Sequence, residues 1–160
     1  QALPTGSSNT LAHQLDSAFK HHYAGHWQAG SMLYPGIREL VGKLHHQGHH
    51  LAVLSNKPDA FTREIVDHFF PGGVFASVMG HSDRFPRKPA PDSALHLLHQ
   101  WHAAPESARF IGDSDIDYTT ARNAGIPFIG VDWGYHPTSN LGDTIASSTD
   151  ELAALIDQAS

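Results

Sequence analysis

The chain has 160 residues, and 10 Lys and Arg against 16 Asp and Glu give a net charge of −6 with histidine neutral. That length holds one ordinary domain core, and that charge excludes a basic nucleic-acid footprint. With no Cys present, disulfide scaffolds, thiolate metal sites and cysteine nucleophiles are excluded as well. The polar surface is carried by Ser, Thr, Gln and 14 His, so the net charge reverses sign in mildly acidic buffer. No apolar run approaches the ~20 residues of a membrane span. A soluble, cytoplasmic protein with neither a membrane nor a nucleic-acid partner is expected. The first residue is Gln rather than Met, which points to a chain processed, trimmed or cut from something longer.

In chain order, residues 1–10 are rich in turn and cap formers and read as an irregular lead-in. Leu11, Leu15, Phe19, Tyr23 and Trp27 recur at every fourth position, the stripe of an amphipathic helix capped by the Ser-Asn-Thr run. Pro35 suits a first helical position; Ile37, Leu40, Val41 and Leu44 give one apolar face, and Gly48 a stop. Leu51–Leu54 is a short continuous apolar run, as in strands buried on both faces of a parallel sheet. Further helices are predicted over about Asp59–Phe69, Pro91–Trp101, Asp117–Asn123 and Glu151–Ile156. Further strands are predicted near Ser77–Gly80, Arg109–Gly112 and Pro127–Val131. Strands alternating with helices mean right-handed βαβ units. The fold class is therefore α/β, a Rossmann-like parallel sheet flanked by helices. The longest irregular segment is 81–91, and long loops in compact domains are more often functional than idle.

In an open parallel sheet, ligands bind beyond the carboxyl ends of the strands. Ser55 and Asn56 follow Leu51–Leu54 directly. Asp113 follows Phe110-Ile111-Gly112, with Asp115 and Asp117 close behind, and Lys88 lies in the long loop. A hydroxyl, an ammonium and a carboxylate cluster are what phosphoryl transfer needs. The hydroxyl holds phosphate oxygens, the lysine offsets their charge, and carboxylates bind Mg²⁺ through oxygen. Each piece alone has a plainer reading. Ser-Asn after a strand is a turn, Lys before Pro is a solvated loop residue, and an acidic run is a helix N-terminus. Their order on successive strand ends is what carries weight. The adjacent His pairs 21–22, 45–46 and 49–50 do not share a helix face and read as solvated. Trp27, Trp101 and Trp133 read as packing, Gly72-Gly73 as a turn, and Arg63 and Arg84 as surface arginines.

LSNKP (54–58), RKPAPD (87–92) and GDSDID (112–117), with YPGI (34–37) before them and AGIPFIGVDWGY (124–135) after, resemble the haloacid dehalogenase (HAD) superfamily. The nearest resemblance is to its phosphoglycolate phosphatase-like branch, over roughly residues 30–157. The resemblance implies a HAD-like sheet and a set of roles. Ser55 hydrogen-bonds the transferring phosphoryl group, with Asn56 beside it in substrate binding. Lys88 neutralises nucleophile and phosphate. Asp113 ligates Mg²⁺, and Asp117, the second acid of the metal site, steadies the lysine or a metal-bound water. Asp115 falls where the family varies and receives no role.

The family also opens with a strand ending in Asp-x-Asp, whose first Asp is the nucleophile. No such motif precedes Ser55, where the only acids are Asp16 and Glu39 within helical patterns. Residues 1–34 then read as the remnant of a helical cap, and 35–160 as an α/β core lacking the nucleophile strand. In the family that strand lies between those ending at Ser55 and Asp113, so two strand edges are expected to face a gap. A gapped chain is expected to be unstable, to exchange a strand in an associated oligomer, or to hold an upstream peptide. The implied function is Mg²⁺-dependent hydrolysis of a small phosphorylated metabolite, 2-phosphoglycolate or similar, through an aspartyl-phosphate in the full-length protein. This chain alone is expected to be inactive. Two alternatives stand: a non-catalytic fragment or pseudoenzyme that binds phosphate or a partner, and a metal-free 2-haloacid dehalogenase. The paired acids Asp113 and Asp117 weigh against the last, because adjacent carboxylates repel unless a cation offsets them.

Overall fold

The structure is a computed structural model that describes residues 31–134, 142 and 144–158. The helix expected over Leu11–Trp27 lies outside the described residues. The chain divides after Leu33 into two units. In the unit from Tyr34 onward the elements alternate as the periodicity predicts: α1 (Ile37–His46), β1 (Ala52–Pro58), α2 (Asp59–Phe69), β2 (Ser77–His81), α3 (Asp92–Gln100), β3 (Phe110–Gly112), α4 (Asp115–Ala124), β4 (Phe128–Val131), β5 (Ile145–Ala146) and α5 (Thr149–Asp157). A single 3₁₀ turn at Pro105–Ser107 leads into β3.

All strand pairs are parallel, and they form two separate ladders, β1–β2 and β3–β4–β5. β1 and β3 do not pair with each other. The α/β class and its flanking helices follow from two apolar clusters on opposite faces of the β3–β4–β5 ladder. On one face Leu40 and Leu44 of α1 and Leu152 and Ile156 of α5 pack on Ile129 and Val131 of β4. On the other, Ala94 and Leu98 of α3 pack with Ala124 and Ile126, reaching Leu54 of β1 and Phe110 of β3. The alternation of side chains along β4 assigns its neighbours to opposite layers.

Several bounds differ from expectation by a residue or more, and local features account for the following. β1 continues through Ser55 and Asn56 to Pro58 instead of stopping at Leu54, with an irregular register between Leu54 and Pro58. The strand resumes pairing at its last residue, where Pro58 registers with His81 of β2. α4 begins at Asp115, two residues early, because Ser114 caps it, its Oγ accepting from the Asp117 N–H at 3.2 Å. The helix ends where expected, at Gly125, whose φ of 71° is in the left-handed region that favours glycine. β5 has only two residues, too short for an alternation signal.

Candidate active site at the carboxyl edge

Lys88 is the hub of the carboxyl edge. Its Nζ donates to Asp117 Oδ1 at 2.6 Å and to the Leu54 carbonyl at 3.0 Å, tying α4 to β1. The two side chains are only 13% and 11% exposed, so the pair is largely withdrawn from water. Asn56 holds the lysine's own backbone. Its Oδ1 accepts from Lys88 N at 2.9 Å and its Nδ2 donates to Lys88 O at 3.0 Å. This reciprocal pair pins the long loop onto β1 and sets where the ammonium emerges.

Both carboxylate oxygens of Asp117 are engaged. Oδ1 takes Lys88, and Oδ2 accepts from the Ser114 hydroxyl at 2.6 Å. Gly112 makes room for it, since a Cβ there would lie 2.8 Å from Asp117 Oδ2. Asp113 is enclosed in the same manner: Gly134, three residues past β4, lies so close that a Cβ would overlap its side chain. Ser114, Gly112 and Gly134 are thus the residues the sequence reading missed. Ser114 stands three residues before an acid, the spacing of a helix cap, and was legible on that ground. The glycines were not, because which backbone approaches which side chain is a tertiary fact.

Ser55, Lys88, Asp113 and Asp117, which the sequence places at strand ends and in the long loop, do not all line one cavity. Lys88, Asp113 and Asp117 line one cavity of about 660 Å³. Ser55 and Asn56 line an adjoining pocket of about 20 Å³, which Lys88 also borders. Ser55 is set aside because β1 loses its regular register after Leu54, and the Ser55 Oγ turns back to accept from Lys57 N at 3.1 Å. Arg63 is committed to Asp59 through Nε–Oδ2 at 2.7 Å, and Arg84 lies 3.1 Å from His96 Nε2. Asp59 also accepts from Gly80 N at 2.9 Å, fastening the end of β2 to the start of α2. The hydrogen bond from Arg63 chiefly holds the Asp59 carboxyl below the usual carboxylate range, with smaller help from Gly80 and against a desolvation cost.

As for a cation, no group of three His, Asp or Glu that could hold a metal occurs among the described residues. Mg²⁺ does not require one, because it binds through one or two carboxylates and keeps waters and substrate phosphate as its other ligands. The cavity-lining carboxylate of Asp113 fits that mode. No helix among the described residues is long and apolar enough to cross a membrane.

An α/β sheet with a lysine, a hydroxyl and acids gathered at its carboxyl edge is the layout the sequence motifs imply. A family model for haloacid dehalogenase-like hydrolases matches residues 5–131, and the chain belongs to that family. Among its relatives, the phosphoglycolate phosphatase of Vibrio vulnificus is 33% identical over 156 residues, covering 94% of this chain and 66% of the relative. That of Salmonella typhimurium is 30% identical over 138 residues, covering 86% of this chain and 53% of the relative. The crystal structure of a predicted phosphoglycolate phosphatase from Haemophilus somnus aligns with a TM-score of 0.85 at 25% identity. That alignment covers 93% of this chain and 68% of the other. The chain spans about half the length of several curated relatives it matches.

Proposed function

We propose that this chain carries the phosphate-positioning and cation-binding part of a phosphatase that hydrolyses a small phosphate monoester, 2-phosphoglycolate or a close analogue. The observation that carries the reading is Lys88, held at one point by Asn56, Leu54 and Asp117, a fixed cation where a phosphate dianion would arrive. A preorganised charge of this kind needs no rearrangement as charge moves during transfer. Phosphoglycolate phosphatase relatives and the family's fold support the same class.

In this reading Ser55 donates its hydroxyl to a phosphoryl oxygen and Lys88 neutralises the phosphoryl charge. Asn56 acts on substrate through the placement of Lys88. Asp117, with both oxygens engaged by Lys88 and Ser114, steadies the lysine, and Asp113 is the carboxylate that would hold Mg²⁺. When bound, that ion supplies positive charge to the phosphate oxygens.

Hydrolysis through an aspartyl-phosphate requires one further carboxylate. Its oxygen attacks phosphorus, the ester P–O bond breaks, and the departing alkoxide takes a proton. Water then cleaves the acyl phosphate. None of Ser55, Asn56, Lys88, Asp113 and Asp117 is that nucleophile, so covalent catalysis by carboxylate does not proceed on these residues alone. A fragment or pseudoenzyme that binds phosphate without turnover is the second reading, since none of those five residues attacks phosphorus. Both predict binding without turnover. Titration of the 160-residue chain with inorganic phosphate in the presence of Mg²⁺, by calorimetry, tests the shared part. A saturable heat that Ser55→Ala weakens about 3–10-fold, as for one hydrogen bond, supports it; no saturable heat sinks it.

A further inference from the structure

The strand β2 ends beside the phosphate-positioning residues, and its last residue is His81. Between the pairs Leu54–Met79 and Pro58–His81, three residues of β1 stand opposite one of β2. The small pocket of about 20 Å³ lies at that irregularity, bordered by Ser55, Asn56, His81, Arg87 and Lys88. The end of β2 is fastened there. Asp59 Oδ1 accepts from Gly80 N at 2.9 Å, and a Cβ on Gly80 would overlap Asp59 and Thr62. The backbone on which His81 stands is thereby fixed.

His81 is half-buried, and its Nδ1 is buried with no hydrogen-bond partner among the described residues. A neutral imidazole carries its proton on one nitrogen. A buried N–H without an acceptor is costly, so the proton belongs on Nε2, and any hydrogen bond that His81 donates to the pocket comes from that atom. Native folds leave few buried polar atoms unsatisfied, and a residue kept at such a cost is typical of a site that trades stability for function. The other groups at the pocket suit an oxyanion. Ser55 Oγ accepts from Lys57 N at 3.1 Å, which leaves its hydroxyl proton to donate. Arg87 and Lys88 supply positive charge, and no Asp or Glu among the described residues borders the pocket. A single water needs about 10–15 Å³, so the pocket takes one or two oxygens of an anion and not a whole phosphate.

We propose that His81 is a substrate-binding residue, its Nε2–H donating to an anionic oxygen of the phosphate monoester beside the Ser55 hydroxyl. That oxygen belongs to the phosphoryl group or to a carboxylate such as 2-phosphoglycolate carries, and the hydrogen-bond chemistry is the same for both. The inference rests on the phosphatase reading and adds to it a residue of β2, a strand outside the motifs that carry the family resemblance.

The test titrates the 160-residue chain with inorganic phosphate and, separately, with 2-phosphoglycolate, each with Mg²⁺, by calorimetry. His81→Leu should weaken binding about 3–10-fold, as for one hydrogen bond. His81→Gln, whose amide nitrogen reaches the place of Nε2, should stay within about twofold of the parent. His81→Asn, whose amide reaches only the place of Nδ1, should lose as much as His81→Leu. A loss seen with inorganic phosphate assigns the contact to a phosphoryl oxygen; a loss seen with 2-phosphoglycolate alone assigns it to the carboxylate. The urea midpoint of His81→Leu should equal or exceed that of the parent, because an apolar atom replaces an orphaned polar one. Weaker binding together with a lower midpoint marks a structural residue and overturns the proposal. So does parent-like affinity of His81→Leu for both ligands, or rescue by Asn and not by Gln. A parent chain that binds neither ligand removes the phosphatase reading and this assignment with it, whereas parent binding that no His81 variant alters removes the assignment alone.

Discussion

Replacing Lys88 by Met tests how the carboxyl edge is held together. The ammonium joins Asp117 at 2.6 Å and the Leu54 carbonyl at 3.0 Å, and the two charged side chains are 13% and 11% exposed. Methionine keeps most of the volume, so the cavity left behind is small. The cost lies in leaving Asp117 largely buried with only the Ser114 hydroxyl against its charge. Breaking a buried pair from one side costs ~3–5 kcal/mol, and residual exposure puts Lys88→Met at the lower end, ~3 kcal/mol. Removing the orphaned charge as well should restore most of that. Lys88→Met combined with Asp117→Leu is expected within ~1 kcal/mol of the parent, a coupling of ~2–3 kcal/mol. Urea unfolding followed by circular dichroism at pH 7 measures all four corners of the cycle. A Lys88→Met cost below ~1 kcal/mol, or additive single costs, would refute the reasoning.

Gly112→Ala would push a methyl to 2.8 Å from Asp117 Oδ2, so thermal melts should show a loss of ~1–3 kcal/mol, as for an overpacked core. Asp59→Asn should lower stability at neutral pH. The folded-state carboxyl lies below its ordinary range, so the unfolded chain takes up the proton first. The contribution is present above about pH 4 and is lost as pH falls through the folded value. The gap in urea midpoint between parent and Asp59→Asn should therefore close in acid; a constant gap would contradict the sign. Asp113→Asn should abolish the calorimetric heat of Mg²⁺ binding to the chain. Retained Mg²⁺ heat would remove Asp113 from the cation site.

The elements were legible wherever a period of apolar residues ran long enough. Asp59–Phe69 appears with the predicted bounds and Pro127–Val131 lies within a residue of β4, whereas Leu51–Leu54 starts one residue before β1 and ends four residues short of it. β5 was not legible, since two residues carry no period. The start of α4 was missed by reading Asp117 as its first turn and overlooking Ser114 as the cap. At the site, the family resemblance implied that Asp117 steadies Lys88 or a metal-bound water, without giving the contact of its Oδ1 with Lys88 Nζ. The exclusion of Ser55 from the larger cavity depends on a register slip that no composition pattern encodes. Asn56 shows the same limit. Its neighbourhood was legible, yet its two hydrogen bonds to the backbone of Lys88 follow from how loop 82–91 folds back over β1.

Crystals of the chain soaked with Mn²⁺ and orthovanadate, measured at the manganese absorption edge, address the phosphate-and-cation site most directly. The expected result is an anomalous peak bonded to the Asp113 carboxylate and an oxyanion within hydrogen-bond reach of both Lys88 Nζ and Ser55 Oγ. A manganese peak away from Asp113, or an oxyanion that touches neither Lys88 nor Ser55, would contradict it.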